Sequence, residues 1–453
     1  MQPVNQVIRS QEDLLNHYQS SRKLEILDSE QMKILLALNV QLEVWENASN
    51  RNLLSFSQEF VQQTKEFKFN YGQIKNIYLI SFLTNLTELN LYYNIISDIS
   101  SISKLKNLKK LHLSYNCIED ISALQYLPDL THLYLQQNKL TSYTVALPNL
   151  VHLSLNGNPL QDKSGLQHSP KLETLRVYQT ETTDLRTISQ LFGLKVLDLS
   201  YNNITQISQL SNFQLERLYL SKTETTDLRT IPHQLFGLKE LCLSSNNITE
   251  ISHLSNFIDL QRLDLSFNKQ LQNIGPLKFC TQLTKLRIDE TSVADIWPLQ
   301  FMKNLKALNI GYTQVIDLHP LQHLYKLEDI YADDTCIIDV SPLQKLTQLN
   351  LLHFWNNKII NADTLQHHKN FSKYYFSDQE VPTTDELKLY SKILKVHSSH
   401  KQIRKIQVEN RVSKFKESMT HQKECIKFKI NEQIQVMNKK IEIIFSQNTY
   451  ADQ

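Results

Sequence analysis

Three histidines, His112, His132 and His152, recur at 20-residue intervals. Such spacing could assemble a metal centre if the rings converged on one point. They are expected at equivalent places on three neighbouring strands about 4.8 Å apart, and a flat ladder spreads its rings. The expectation is therefore a stacked, pH-sensitive polar column, with no metal. Asp329, Asp333 and Asp334 form an acidic cluster that could favour a basic partner or a cation, or simply be a solvated acidic edge. Asp295, Asp317 and Asp339 stand one repeat apart, and the short apolar turns after them make helix capping the expected role.

Nucleophilic chemistry has little support. The five cysteines (Cys117, Cys242, Cys280, Cys336, Cys425) are scattered with no CxxC pair, which argues against zinc or a disulfide framework and fits a reducing compartment. Cys425 lies between Lys423 and Lys427, which could lower its pKa. A ligase-type cysteine would also need a cleft and an oxyanion hole, and the surrounding Gly-free stretch offers neither. No HExxH, Ser/His/Asp order, GxGxxG or GxxxxGK[ST] occurs. No enzyme activity, cofactor or small-molecule substrate is expected.

Composition narrows the class further. The 453 residues include 7 Gly and 11 Pro, where an average chain of this length carries roughly 30 and 20. Dinucleotide and phosphate-loop folds need clustered glycines and are excluded. Net charge is +2, so nucleic acid is not an expected partner on that ground. No apolar leader and no run of 18 apolar residues is present, so no membrane span is expected, and a cytoplasmic or nuclear location is.

What must position these residues is a repeat. A frame L-x-x-L-x-L-x-x-N-x-I starts at Leu86, with Leu89, Leu91 and Asn94, and recurs from Leu108, Leu130, Leu150, Leu172, Leu194, Leu215, Leu238, Leu260, Leu283, Leu305, Leu327 and Leu349. Thirteen frames follow one another at 20 to 23 residues, after a degenerate one (Thr64, Phe67, Phe69, Gly72). The pattern resembles the leucine-rich repeat family, in the 22-residue subtype of the phosphatase 1 nuclear regulatory subunit and the internalins. The resemblance implies an α/β solenoid, a leucine-rich repeat horseshoe with a parallel concave sheet. The chain divides into 1–63, a helical N-terminal cap; 64–371, the repeats; and 372–453, a basic helical tail ending in a long C-terminal helix.

The residues themselves support this. The last two leucines of L-x-x-L-x-L alternate with polar residues, as in a short strand. The ninth position carries Asn94, Asn116, Asn138, Asn158, Asn202, Asn246, Asn268 and Asn357, which should ladder through backbone hydrogen bonds and make the turns. Thr180, Thr223, Thr291, Thr313 and Thr335 replace Asn, so the ladder should weaken toward the C-terminus. Asp98, Asp120, Asp184 and Asp227, with the three aspartates above, predict N-caps of short helical or 3₁₀ turns. Thr180–Phe213 and Thr223–Phe257 are near copies, so array length has changed easily, which suits a binding scaffold.

Positions three, five, seven and eight of each frame should face solvent on the concave sheet. They hold Tyr92, Tyr93, Tyr115, Tyr134, Tyr178, Tyr201, Tyr219, Phe267, Tyr312, Tyr331 and Trp355, the anchor types of protein interfaces. Arg176, Arg217, Lys222, Arg262, Lys285 and Arg287 sit near the middle, and Asp289, Glu290, Asp329, Asp333 and Asp334 toward the end.

The flanks read as helices. Leu27, Ile34, Leu38, Leu42 and Trp45 keep helical spacing in a segment of net charge −3, and Asp28 with Gln31 resembles a capping box. Between Lys388 and Lys440 there are 14 Lys/Arg and 4 Asp/Glu, net +10, and Val412, Phe415, Met419, Ile426, Ile430 and Ile434 keep helical spacing. Such a segment could be a second partner contact, a membrane-surface helix or a coiled coil. Ile406, Gln407, Arg411 and Lys416 resemble the IQ motif, which implies a calmodulin-like partner; Val412 departs from its usual Gly. The expected function is a non-enzymatic scaffold or regulatory subunit binding a protein on the concave face. Alternatives are an internalin-type surface adhesin and an RNA-protein assembly factor.

Overall fold

The computed structural model describes residues 63–72, 74–204, 207–210, 214–232, 235, 237–370 and 373–376. The N-terminal cap, the tail helix, the IQ-like residues and Cys425 lie outside them. The chain divides into two compact units, residues 1–215 and 216–453.

The first unit carries seven strands: β1 Glu66–Lys68, β2 Glu88–Asn90, β3 Lys110–His112, β4 His132–Tyr134, β5 His152–Ser154, β6 Thr174–Arg176 and β7 Val196–Asp198. The second carries β8 Arg217–Tyr219, β9 Glu240–Cys242, β10 Arg262–Asp264, β11 Lys285–Arg287, β12 Ala307–Asn309, β13 Asp329–Tyr331, β14 Leu351–Phe354 and β15 Tyr374–Phe376. All run parallel within each unit, frame on frame: Leu111 pairs with Leu133, and Leu263 with Leu286. β15 adds a strand beyond the last regular frame, with Tyr374 paired to Leu352 where a leucine is expected.

The frame explains the strands. Position four points inward from the strand centre, flanked by half-buried or exposed neighbours, as in Glu88-Leu89-Asn90. Positions one, four and six stack into apolar columns; Leu86, Leu89 and Leu91 are buried, and so are Leu305, Leu308 and Ile310.

The return segments are 3₁₀ turns, and no α-helix occurs among the described residues from 64 to 376. Three to five residues per turn are all that a 22-residue repeat leaves for the return path. The aspartates act here, one residue earlier than predicted. Asp98 Oδ1 accepts from Ser100 N at 2.8 Å and Asp120 Oδ1 from Ser122 N at 2.7 Å, while the N-cap position belongs to Ile99 and Ile121. These are Asx turns that lead the chain into the 3₁₀ segment. Only at Asp227, among the described turns, does the aspartate itself occupy the N-cap.

The asparagine ladder is present. Asn202 Oδ1 accepts from Thr180 N and Thr182 N, both at 2.9 Å, and its amide donates to Val177 O at 2.7 Å and Leu199 O at 2.9 Å. Each such side chain ties its own repeat to the one before. Thr291 and Thr313 give their hydroxyl hydrogen to a carbonyl three residues back, Ile288 O and Ile310 O, inside their own repeat. A hydroxyl has one hydrogen where the amide has two.

The Asn and Thr of position nine do not make the sharp turn, however. The left-handed backbone falls one residue earlier, at position eight: Tyr71, Tyr93, Tyr115, Gln137, Tyr201, Phe267 and Tyr312 all have φ between 53° and 60°. Gly157 is the one glycine among them, at φ 65°. A left-handed L-residue costs roughly 1–2 kcal/mol. Ser245, exposed at φ 59°, is therefore expected to gain up to about 1 kcal/mol on replacement by Gly, read as a raised melting temperature.

The repeat from Leu130 has 20 residues and no described 3₁₀ turn. Its return runs extended instead, bridging Ser142 to Asp162 and burying Tyr143 completely. The next repeat must come close: Gly165 N donates to Tyr143 O at 2.8 Å, and a methyl group at Gly165 would lie 2.7 Å from three backbone atoms of residues 143–145. Gly165→Ala is expected to lower stability by about 1–3 kcal/mol, measured by denaturant unfolding.

Candidate binding face

Within the first unit the solvent side of the sheet carries a continuous aromatic cluster. Tyr71 lies 5.3 Å from Tyr92 and 5.0 Å from Tyr93; Tyr115 is 5.3 Å from Tyr92 and 5.9 Å from Tyr93. His112 joins it, 5.2 Å from Tyr92 and 5.1 Å from Tyr134. Mutual contact orders the rings before anything binds, while Tyr93 remains 52% exposed. Tyr71 escaped the sequence reading because its frame lacks leucines. The hydroxyl of Tyr71, bonded to Tyr92, holds the Tyr92 phenol above its ordinary pKa. Charges beside the cluster pair with each other, Lys68 with Glu66 at 3.1 Å and Lys110 with Glu88. Its surface is therefore aromatic and close to neutral. Tyr178 and Tyr201 form a separate pair at 4.8 Å.

The eleven predicted aromatics divide by position. Tyr93, Tyr115, Tyr201, Phe267, Tyr312 and Trp355 are exposed; Tyr92, Tyr134, Tyr178, Tyr219 and Tyr331 are half-buried.

The histidine column is corrected. His112 occupies the fifth place of its frame and pairs with Tyr134, whereas His132 and His152 occupy the third and pair with each other. A 20-residue interval laid over a 22-residue step shifts the position by two. His132 and His152 stack at 4.4 Å, and His112 stands among tyrosines. Burial holds His112 below its ordinary pKa; burial, then the neighbouring His152, does the same for His132. A histidine with a depressed folded pKa stays neutral when the unfolded chain takes a proton, so its contribution is present above about pH 6.5 and lost as pH falls below that. The melting temperature is expected to drop between pH 7.5 and 5.5, and less steeply in His112→Gln, which cannot titrate.

On the second unit, charge on the face is largely consumed internally. Arg287 pairs with buried Asp289 at 3.2 Å and with Asp264 at 3.6 Å, and Arg262 with Glu240 at 3.5 Å. Arg217 is exposed on β8. Toward the C-terminal strands the balance is acidic. Asp333 Oδ1 accepts from Trp355 N at 2.7 Å, and Asp334 accepts from the Asn356 amide. Both carboxylates thus shape the turn that presents Trp355, which is 60% exposed. The negative charge of Asp334 beside Tyr312 pushes that phenol up. Asp329 is half-buried on β13 rather than grouped with this edge, because it is the strand's first residue and they follow its end. Tyr331, His353 and Tyr375 stack along the strands at 5.1 and 4.5 Å. No group of three or more metal-type ligands is present among the described residues.

Each unit is thus a stack of strand, turn and 3₁₀ return, repeated about every 22 residues and closed by a side-chain amide ladder, which defines a leucine-rich repeat solenoid. Leucine-rich repeat profiles match residues 84–140, 193–213 and, as two copies, 237–279. These matches identify the units of about 22 residues as leucine-rich repeats. The fold is similar to that of an internalin (InlF) of Listeria monocytogenes, at 26% identity and TM-score 0.56, over 78% of this chain and 96% of that one. It is also similar to a leucine-rich repeat protein of Leptospira interrogans, at 22% identity and TM-score 0.57, over 71% and 86%. The functional domain of Listeria InlJ, at 22% identity and TM-score 0.53, shares the fold over 71% and 74%. No curated protein matches the chain. No described helix is long and apolar enough to cross a membrane.

Proposed function

We propose that the protein is a non-enzymatic interaction scaffold that binds a protein partner on the sheet face of its first unit. The observation that carries this reading is the preordered and nearly uncharged cluster in which Tyr71, Tyr93 and Tyr115 are exposed and Tyr92, His112 and Tyr134 lie half-buried beside them. Rings already held in place lose little freedom on binding, and aromatic anchors dominate interface energetics. Phe267, Tyr312 and Trp355 are further exposed rings on the second unit's face. The basic tail adds a further contact, of which a calmodulin-like protein is one candidate through Ile406, Gln407, Arg411 and Lys416.

Proximity labelling with the full chain and with Tyr93→Ala/Tyr115→Ala tests this. The double variant should keep its circular dichroism spectrum and lose the proteins labelled most strongly by the parent. Identical labelled sets would remove the aromatic cluster from partner recognition. A second reading, a surface adhesin of internalin type, is favoured by the 26% identity to InlF across 96% of its length. Binding of the purified protein to intact cells, abolished by the same substitutions, would select it.

A further inference from the structure

We propose that the basic tail, residues 388–440, docks back on the acidic aromatic end of the second unit's face, over Glu290, Tyr312, Asp333, Asp334 and Trp355. The two surfaces are complementary in charge and in apolarity. The tail carries net +10, and interleaves that charge with Val412, Phe415, Met419, Ile426, Ile430 and Ile434. The patch offers three carboxylates around Tyr312 and Trp355, two exposed rings with room for methyl-rich side chains and for lysine ammonium groups over their faces. The first unit's cluster has no such charge to offer, since Glu66 and Glu88 are already paired.

Chain geometry favours the same place. The last described strand, β15, pairs directly with β14, whose continuation carries Trp355. From Phe376 to Lys388 are twelve residues, which can span up to about 40 Å. The distance back from β15 to β11, whose end carries Glu290, is four strand steps, about 19 Å. A tether of that length gives an effective concentration in the millimolar range, so even weak docking is well populated. The docking stands on these observations whether or not the first unit binds a partner.

Zero-length carbodiimide crosslinking of the purified full-length chain, read by mass spectrometry, tests the proposal. Tail lysines should link to Glu290, Asp333 and Asp334 with a yield that is constant over a hundredfold dilution. The yield should fall at least fivefold at about 1 M salt, where the screening length is near 3 Å. In Asp333→Asn/Asp334→Asn the amide oxygen can still accept from Trp355 N, so the turn should persist while the Glu290 link weakens. Hydroxyl-radical footprinting gives a second readout: Trp355 and Tyr312 should be protected at low salt and oxidised at least threefold faster at high salt. Links made chiefly to the first unit, or yields that fall with dilution as for a second copy's tail, would overturn the proposal. So would an absence of links together with salt-independent oxidation of Trp355.

Discussion

Leu197→Asp is expected to abolish the cooperative unfolding transition of the first unit. Leu197 is the central residue of β7, fully buried and paired in register with Leu175. An aspartate there would face the apolar column of Leu153 and Leu175. Losing the leucine alone costs about 2–5 kcal/mol. Burying an unpaired carboxylate adds several more, even after its pKa rises toward neutrality. The total approaches the whole stability of an ordinary domain, about 5–15 kcal/mol. Circular dichroism melting and limited proteolysis should show early cleavage between residues 63 and 215. Leu197→Ala, which removes packing without adding charge, should fall between parent and Asp variant. A melting curve for the Asp variant that overlays the parent would mean that this position is not in the core.

The second large effect is expected at the ladder. Asn268 is fully buried; it accepts from Asn246 N at 3.1 Å and Ile248 N at 2.9 Å and donates to Leu243 O at 3.0 Å and Leu265 O at 2.8 Å. Asn268→Ala orphans two N–H groups and two carbonyls at once. Each unsatisfied buried group costs about 1–3 kcal/mol, partly recovered by water entering the space, so a loss of about 3–5 kcal/mol is expected. Asn268→Thr restores the bond within the repeat, as Thr291 makes to Ile288 O, and should lose about half as much. Equal losses for Ala and Thr would show that the bonds between repeats carry all of the effect. Denaturant midpoints at constant slope distinguish these outcomes.

The frame made the strands legible, because leucines at positions one, four and six have one reading in a 22-residue period. The ladder followed from the chemistry of a buried amide. The left-handed turn did not, since Tyr, Gln and Phe at position eight carry no local preference for that backbone; tertiary hydrogen bonds impose it, such as Tyr93 N to Ser114 O at 2.9 Å. The extended return at Ser142–Val145 was hidden for a similar reason. A shortfall of two residues says that something must change, and Tyr143 and Gly165 decide what. The histidines were misplaced by counting residues along the chain rather than places within the frame. The candidate face was legible as a set of aromatics; their division into one neutral cluster and one acidic patch depends on which carboxylates pair with neighbours, and that requires coordinates.

The ladder bonds have a further consequence for how the chain comes to fold. Those between repeats join residues 18 to 26 apart: Leu140 to Asn158 at the short extreme and Asn246 to Leu220 at the long one. Strand pairing spans the same intervals, as between Leu111 and Leu133. Loop closure is therefore paid once per repeat and never over hundreds of residues, despite the parallel sheet. Each repeat emerging from the ribosome can dock on its predecessor before the next is made. A kinetic study should find that synthesis of this chain outpaces none of its folding, and that truncation after any complete repeat beyond the first three leaves the described repeats before it ordered.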